Sequence, residues 1–285
     1  MKLRRVLSII MVLVMLSTMV VFSTNAASTV ENTSSATYYN LNKFSSQIYN
    51  GTDLGSTYSP TSTTWKVWSP AATSVQLKLY ATGSDGEAGA KNLGTHNLAK
   101  NASFSSNGVW ELTLSGDYKN VYYTYLVTVN GKTNETQDVY SKATGVNGNR
   151  SMVVDLDSTD PEGWETDKHV LFDNRTEAAV WEVHIRDFSV ADNSGVSESN
   201  KGKYLAFTEG GTTLNSDTSA NAVKTGIDYL VEQGINCVQI LPMYDYASVD
   251  ETNVSNNLSS NYNWGYDPAN YMFALPRLRW HLPID

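Results

Sequence analysis

Residues 121–129 read Val-Tyr-Tyr-Thr-Tyr-Leu-Val-Thr-Val and run directly into Asn130-Gly131. β-Branched and aromatic side chains crowd a helix but fit a pleated strand. Asn-Gly accepts the positive φ angles of a two-residue hairpin turn. The stretch predicts a strand that folds back on itself, which commits its neighbours to a sheet. Further strands are predicted at 64–68, 75–80, 109–114 and 151–156. In 75–80, Gln76 and Lys78 fall on one face and Val75, Leu77 and Leu79 on the other. Short strands separated by turn signals, with no helical period, predict an all-β, immunoglobulin-like sandwich of about 100 residues. Its expected bounds are 45–157.

A connector, 158–178, comes next, with Asp160-Pro161 and Gly163 in it. The pattern then alternates. Residues 179–185 predict a strand. Val223, Ile227, Leu230 and Val231 form one stripe of a helix over 219–233, which Gly234 is placed to stop. Residues 235–241 are almost continuously apolar and predict a strand buried on both faces, ended by Pro242. A strand–helix–strand unit opens either a dinucleotide-binding sheet or a (β/α)8 barrel. No glycine-rich phosphate loop follows the first strand, so the barrel is the better expectation. In a barrel, the long polar stretch 189–218 and the loop from Tyr244 to Tyr271 would both lie over the C-terminal face, where active sites sit.

The N-terminus reads as an address. Lys2, Arg4 and Arg5 precede an apolar run over 6–22, and a small polar stretch holds Ala26-Ala27. That layout predicts a secretory signal peptide, 1–27, rather than an uncleaved anchor, and a secreted, extracellular protein. Residues 28–44 are rich in Ser, Thr and Asn and read as a linker. Removing the three basic residues of the signal takes the formal charge from −9 to −12. Such a balance argues against nucleic acid and anionic membranes as partners. Cys237 is the one cysteine and sits among apolar residues, so it is read as a small core residue.

Two strings carry a family likeness: Tyr262-Asn263-Trp264-Gly265-Tyr266-Asp267-Pro268, and Trp181-Glu182-Val183-His184-Ile185-Arg186-Asp187-Phe188-Ser189. Upstream, 49–55 and Lys66-Val67-Trp68-Ser69-Pro70 add to it. Together they resemble the type I pullulanases of glycoside hydrolase family 13. The likeness covers about 45–271 and implies the first strands of an incomplete (β/α)8 TIM barrel over 179–271. It also implies hydrolysis of α-1,6 linkages in pullulan, starch or glycogen. The 17 tyrosines and 7 tryptophans suit a partner of that kind, because flat rings stack on apolar sugar faces. By its place in the motif, Tyr266 is expected to stack under a glucosyl ring, with Trp264 and Asp267 as further substrate-binding candidates. His184 and Arg186 are expected to satisfy charges at the barrel mouth. No cofactor and no metal-ligand set is implied.

Retaining glycosidases use two carboxyl groups about 5 Å apart. The resemblance places them beyond the fourth and fifth barrel strands, past the residues of this sequence, so no catalytic residue is assigned. Residues 272–285 also change character, with two prolines, two arginines and a Trp-His pair. They are expected to be an aberrant tail. A polypeptide of these 285 residues is therefore expected to release no reducing sugar from pullulan above a no-enzyme control; release by the pure chain would defeat that expectation.

Overall fold

The computed structural model describes residues 41–168, 171–253 and 262–274. The expected signal peptide, most of the linker and residues 275–285 lie outside that set. The chain divides into two compact units, Met1–Lys43 and Phe44–Asp285.

The first part of the second unit is a sandwich. In chain order the strands are β1 (Gly55–Ser59), β2 (Ser62–Trp68), β3 (Ser74–Tyr80), β4 (Asn92–Asn97), β5 (Ala99–Lys100), β6 (Val109–Ser115), β7 (Tyr122–Val129), β8 (Lys132–Thr136) and β9 (Ser151–Met152). One short helix, α1 (Phe104–Asn107), lies among them. One sheet runs β1-β2-β6-β5; the other runs β4-β3-β7-β8, with β9 also on β7. The period-two pattern decides what faces inward. Val75, Leu77 and Leu79 are buried, while Gln76 and Lys78 look outward. Across the ladder, Leu77 pairs with Tyr125 and Leu79 with Tyr123. From the opposite sheet, Trp65 meets the edge of the Tyr123 ring at 6.1 Å, a favoured arrangement of two quadrupoles. Asn130 and Gly131 take φ values of 51° and 76°, so the hairpin turn forms where the dipeptide predicts it.

The expected strand at 151–156 is shorter than the sequence suggests. Only Ser151 and Met152 are strand, because Val153 exchanges backbone bonds with Asn120 and Val121, and the chain then coils into a 3-10 turn at Asp157–Thr159.

The second part of this unit holds one strand–helix–strand unit: β10 (Val180–Val183), α2 (Gly226–Glu232) and β11 (Cys237–Ile240). β10 and β11 are parallel, with Val180 opposite Cys237. The helix is half the expected length. Lys224 pairs with Thr213, and Leu214 N donates to the Val223 carbonyl, so this stretch is held by a bridge before the helix can begin. Of the expected stripe, Leu230 is buried, while Val223 and Val231 are exposed. β11 is also not buried on both faces: Val238 and Ile240 are each 38% exposed. The reason is topological. Among the described residues, β11 has a neighbour on one edge only. Cys237 is correspondingly half-buried.

Residues 189–218 are not an open loop. Phe188 stacks on Phe207 at 3.8 Å, and Ile185 is covered by Tyr204, Phe207 and Tyr246. A final hairpin, β12 (Tyr244–Tyr246) with β13 (Pro268–Ala274), carries strand pairing through to Ala274. Of the expected aberrant tail, 272–274 belong to β13.

The hairpin is tied to the sandwich by buried and half-buried polar groups. Thr144 Oγ1 donates to Asp245 Oδ2 at 3.0 Å, and Gln137 Nε2 donates to Asn270 Oδ1 at 2.7 Å. Gly148, at φ 63°, lies against this pair; a Cβ there would stand 1.9 Å from Asn270 Nδ2.

Leu77 fills the middle of the sandwich with no exposure. Leu77→Ala is expected to lower unfolding free energy by about 2–5 kcal/mol, read by denaturant titration, through lost transfer energy plus a cavity. A change within error would contradict this account of the core.

Candidate functional site

Pro242 ends the run that contains β11, and the chain then enters the hairpin whose two strands bracket residues 247–267. The near end of that stretch is built by Asn263. Its Oδ1 accepts from Gly265 N at 2.7 Å, and its Nδ2 donates to Asp267 Oδ1 at 2.7 Å and to Ser248 Oγ at 2.9 Å. One amide thus closes the turn on both sides, which is what short Asn side chains do in loops. Gly265 sits at φ 91°, and a Cβ there would stand 1.9 Å from the Pro242 carbonyl oxygen. Only glycine lets the loop pass this close to the strand end.

The loop is also fastened to the end of β10. His184, buried, places Nε2 2.9 Å from the Asn263 carbonyl oxygen. A carbonyl oxygen only accepts, so Nε2 carries the proton and donates. Tyr262 Oη donates to Asp187 Oδ2 at 2.8 Å. Desolvation, then the hydrogen bond and charge of Asp187, push the Tyr262 phenol above its ordinary pKa. The Arg186 guanidinium lies 5.8 Å from the centre of the same ring. Tyr246 supports the loop from below, its hydroxyl on the Pro242 carbonyl. Burial first, and the charge of Asp267 second, push its pKa up to about 12.

On this brace stand two unsheltered rings. Trp264 is 62% exposed and Tyr266 is 64% exposed. They border a cleft of about 900 Å³ whose lining also includes Trp181, Val183, His184, Leu241 and Tyr262. Trp181 meets Tyr229 of α2 edge-on at 5.9 Å. Of the three residues nominated from sequence, Trp264 and Tyr266 therefore come together at the cleft. Asp267 does not line it. Its carboxylate accepts from Ser248 N at 3.2 Å and from Asn263, and its carbonyl from Ala247 N at 2.8 Å. Trp181, Tyr262 and Asp187 are cleft residues that the sequence does not single out. They lie inside the two motif strings, but neither string says which rings end up facing one another. Among the described residues, no group of three or more His, Cys, Asp or Glu side chains is placed to hold a metal ion.

Residues 53–141 match carbohydrate-binding module 48, the isoamylase N-terminal domain. The chain is 35% identical to a pullulanase of Bacillus subtilis (strain 168) over 228 residues, which is 80% of this chain and 28% of that protein. It is 28% identical to chloroplastic pullulanase 1 of Arabidopsis thaliana, over 79% of this chain and 25% of that one. Among solved structures, a pullulanase from Bacillus acidopullulyticus superposes with a TM-score of 0.70 at 42% identity, over 82% of this chain and 26% of that one. A variant pullulanase from Paenibacillus barengoltzii, complexed with maltotriose, gives 0.72 at 37% identity, over 84% and 35%. The chain is pullulanase-like. It spans about a quarter to a third of the length of these relatives.

Asp267 ties the loop to pH. Hydrogen bonds from Ser248, and next from Asn263, hold its carboxyl below the ordinary value against the opposing effect of desolvation. The carboxylate therefore favours the folded loop above the ordinary aspartate range, and that contribution is lost as pH falls through the depressed value. Trp264 fluorescence is expected to be steady from neutral pH down through that ordinary range and to change below it. Asp267→Asn is expected to remove the part of the acid transition that belongs to this group; an identical transition in the variant would rule it out.

Proposed function

We infer that this chain engages α-glucan in the Trp264–Tyr266 cleft, as the glucan-holding portion of a secreted pullulanase-type enzyme that debranches pullulan, starch or glycogen at α-1,6 linkages. The observation that carries the reading is a pair of exposed rings on a loop that is otherwise internally satisfied. Both aromatic faces stand in water at the border of the cleft. A ring face against the C–H face of a glucosyl unit removes apolar surface from water on both sides. In this reading Tyr266 lies under a glucosyl ring, Trp264 flanks it, and Asp267 holds the loop. Residues 179–271 form the opening of a (β/α)8 barrel. We assign no catalytic residue, and the role proposed for these residues is to hold glucan.

A second reading rests on the module match over 53–141: the sandwich itself is the glucan binder. The rings that could serve it are unequal. Trp65 and Trp110 are buried, whereas Trp68 is 37% exposed on the outer side of β2.

Calorimetry with maltotriose and maltohexaose separates the two. Tyr266→Ala and Trp264→Ala are each expected to weaken binding about tenfold, the cost of removing a well-placed aromatic contact. Binding that survives the double substitution intact but is lost in Trp68→Ala would move the function to the sandwich.

A further inference from the structure

Residues 247–251 form a short strap with a different anchor at each end. At one end, Ala247 N donates to the Asp267 carbonyl and Ser248 N to the Asp267 carboxylate, while Ser248 Oγ accepts from Asn263. That end belongs to the cleft loop. At the other, three hydrogen bonds run between the strap and one residue of the sandwich. Asn147 N donates to Glu251 Oε2 at 2.6 Å, Asn147 Nδ2 donates to Asp250 Oδ1 at 2.9 Å, and Glu251 N donates to Asn147 Oδ1 at 2.7 Å. Asn147 sits at φ 56°, in the left-handed region that Asn tolerates better than most residues. That conformation aims its main-chain N–H and its side-chain amide at the same partner. Here the amide is acceptor and donor at once, a pairing a carboxylate cannot reproduce.

We propose that Asn147, although part of the sandwich, is a positioning residue for the Trp264–Tyr266 loop, acting through the strap 247–251. The sandwich then serves as the outer anchor of the cleft as well as a neighbouring module. The consequence for glucan affinity rests on the cleft being the glucan site; the mechanical link does not. The Asn147 amide also holds the Asp250 carboxyl below its ordinary pKa, as a donor on an anion should.

The test uses the 285-residue chain and a reciprocal swap. Asn147→Asp sets a carboxylate against Asp250. Adding Asp250→Asn returns a donor to the pair and still leaves an oxygen for Thr252 N, which Asp250 accepts now. Two quantities are followed: amide hydrogen exchange of residues 262–267 without ligand, and maltohexaose affinity. Asn147→Asp is expected to speed exchange there by about tenfold and to weaken binding, and the swap to restore both, since a lost bond to a charged group is worth roughly that factor. Unchanged exchange in Asn147→Asp overturns the proposal. So does faster exchange that the swap fails to restore, which would mean general loosening. If Asn147→Asp does not accumulate, Asp250→Ala removes the acceptor without adding charge, and the same rise in exchange is expected. A wild-type chain that binds no maltohexaose sinks the cleft reading, and the exchange measurement still decides the strap.

Discussion

Asp138 holds the sandwich and the chain after it to one geometry. Tyr123 and Tyr125 fill the space between the sheets, and each brings a hydroxyl with it. A buried hydroxyl without an acceptor costs about 1–3 kcal/mol. Asp138 Oδ2 accepts from both, at 2.9 and 3.3 Å. Its other oxygen accepts from Tyr140 N, and its own N–H donates to Ser151 Oγ. Burial raises the pKa of this carboxyl, while the backbone and the two phenols act to lower it. The same contacts fix both ends of the segment between β8 and β9. That segment is where Gln137, Thr144, Asn147 and Gly148 are found. The sandwich core therefore dictates where its polar edge meets the β12–β13 hairpin.

The period-two elements are legible in the sequence because each strand position has one of two fates, core or solvent. Leu77 and Lys78 can be told apart without knowing their partners, and Asn130-Gly131 marks its turn by backbone chemistry alone. The helix is over-read for the opposite reason. Val223 fits a helical stripe, but the bridge between its neighbour Lys224 and Thr213 claims the backbone first, and tertiary pairing overrides propensity. The expectation that β11 is buried on both faces assumes neighbours that the described residues do not supply. The junction is invisible in sequence. Thr144 and Asp245, 101 positions apart, are ordinary polar residues until the fold buries them together.

The candidate cleft is half legible. Its motif points to Trp264 and Tyr266, but the division of labour within the motif depends on geometry. Asn263 and Gly265 close the turn, Asp267 holds it to the strap, and His184 and Tyr262 fasten it to the end of β10. Trp264 and Tyr266 are the rings left without such a tie, and they stand at the cleft beside Tyr262.

The pairing of β10 with β11 sets an order of events in time. Ala179 and Asn236 are joined across 57 positions, whereas Val129 meets Lys132 across a two-residue turn. Closing the longer loop costs more chain entropy before any contact rewards it. During synthesis the sandwich strands have all emerged before Cys237 exists to pair with Val180. The sandwich is thus the surface already in place when the slower parallel pair forms, and Asn147 is waiting there when Asp250 and Glu251 arrive.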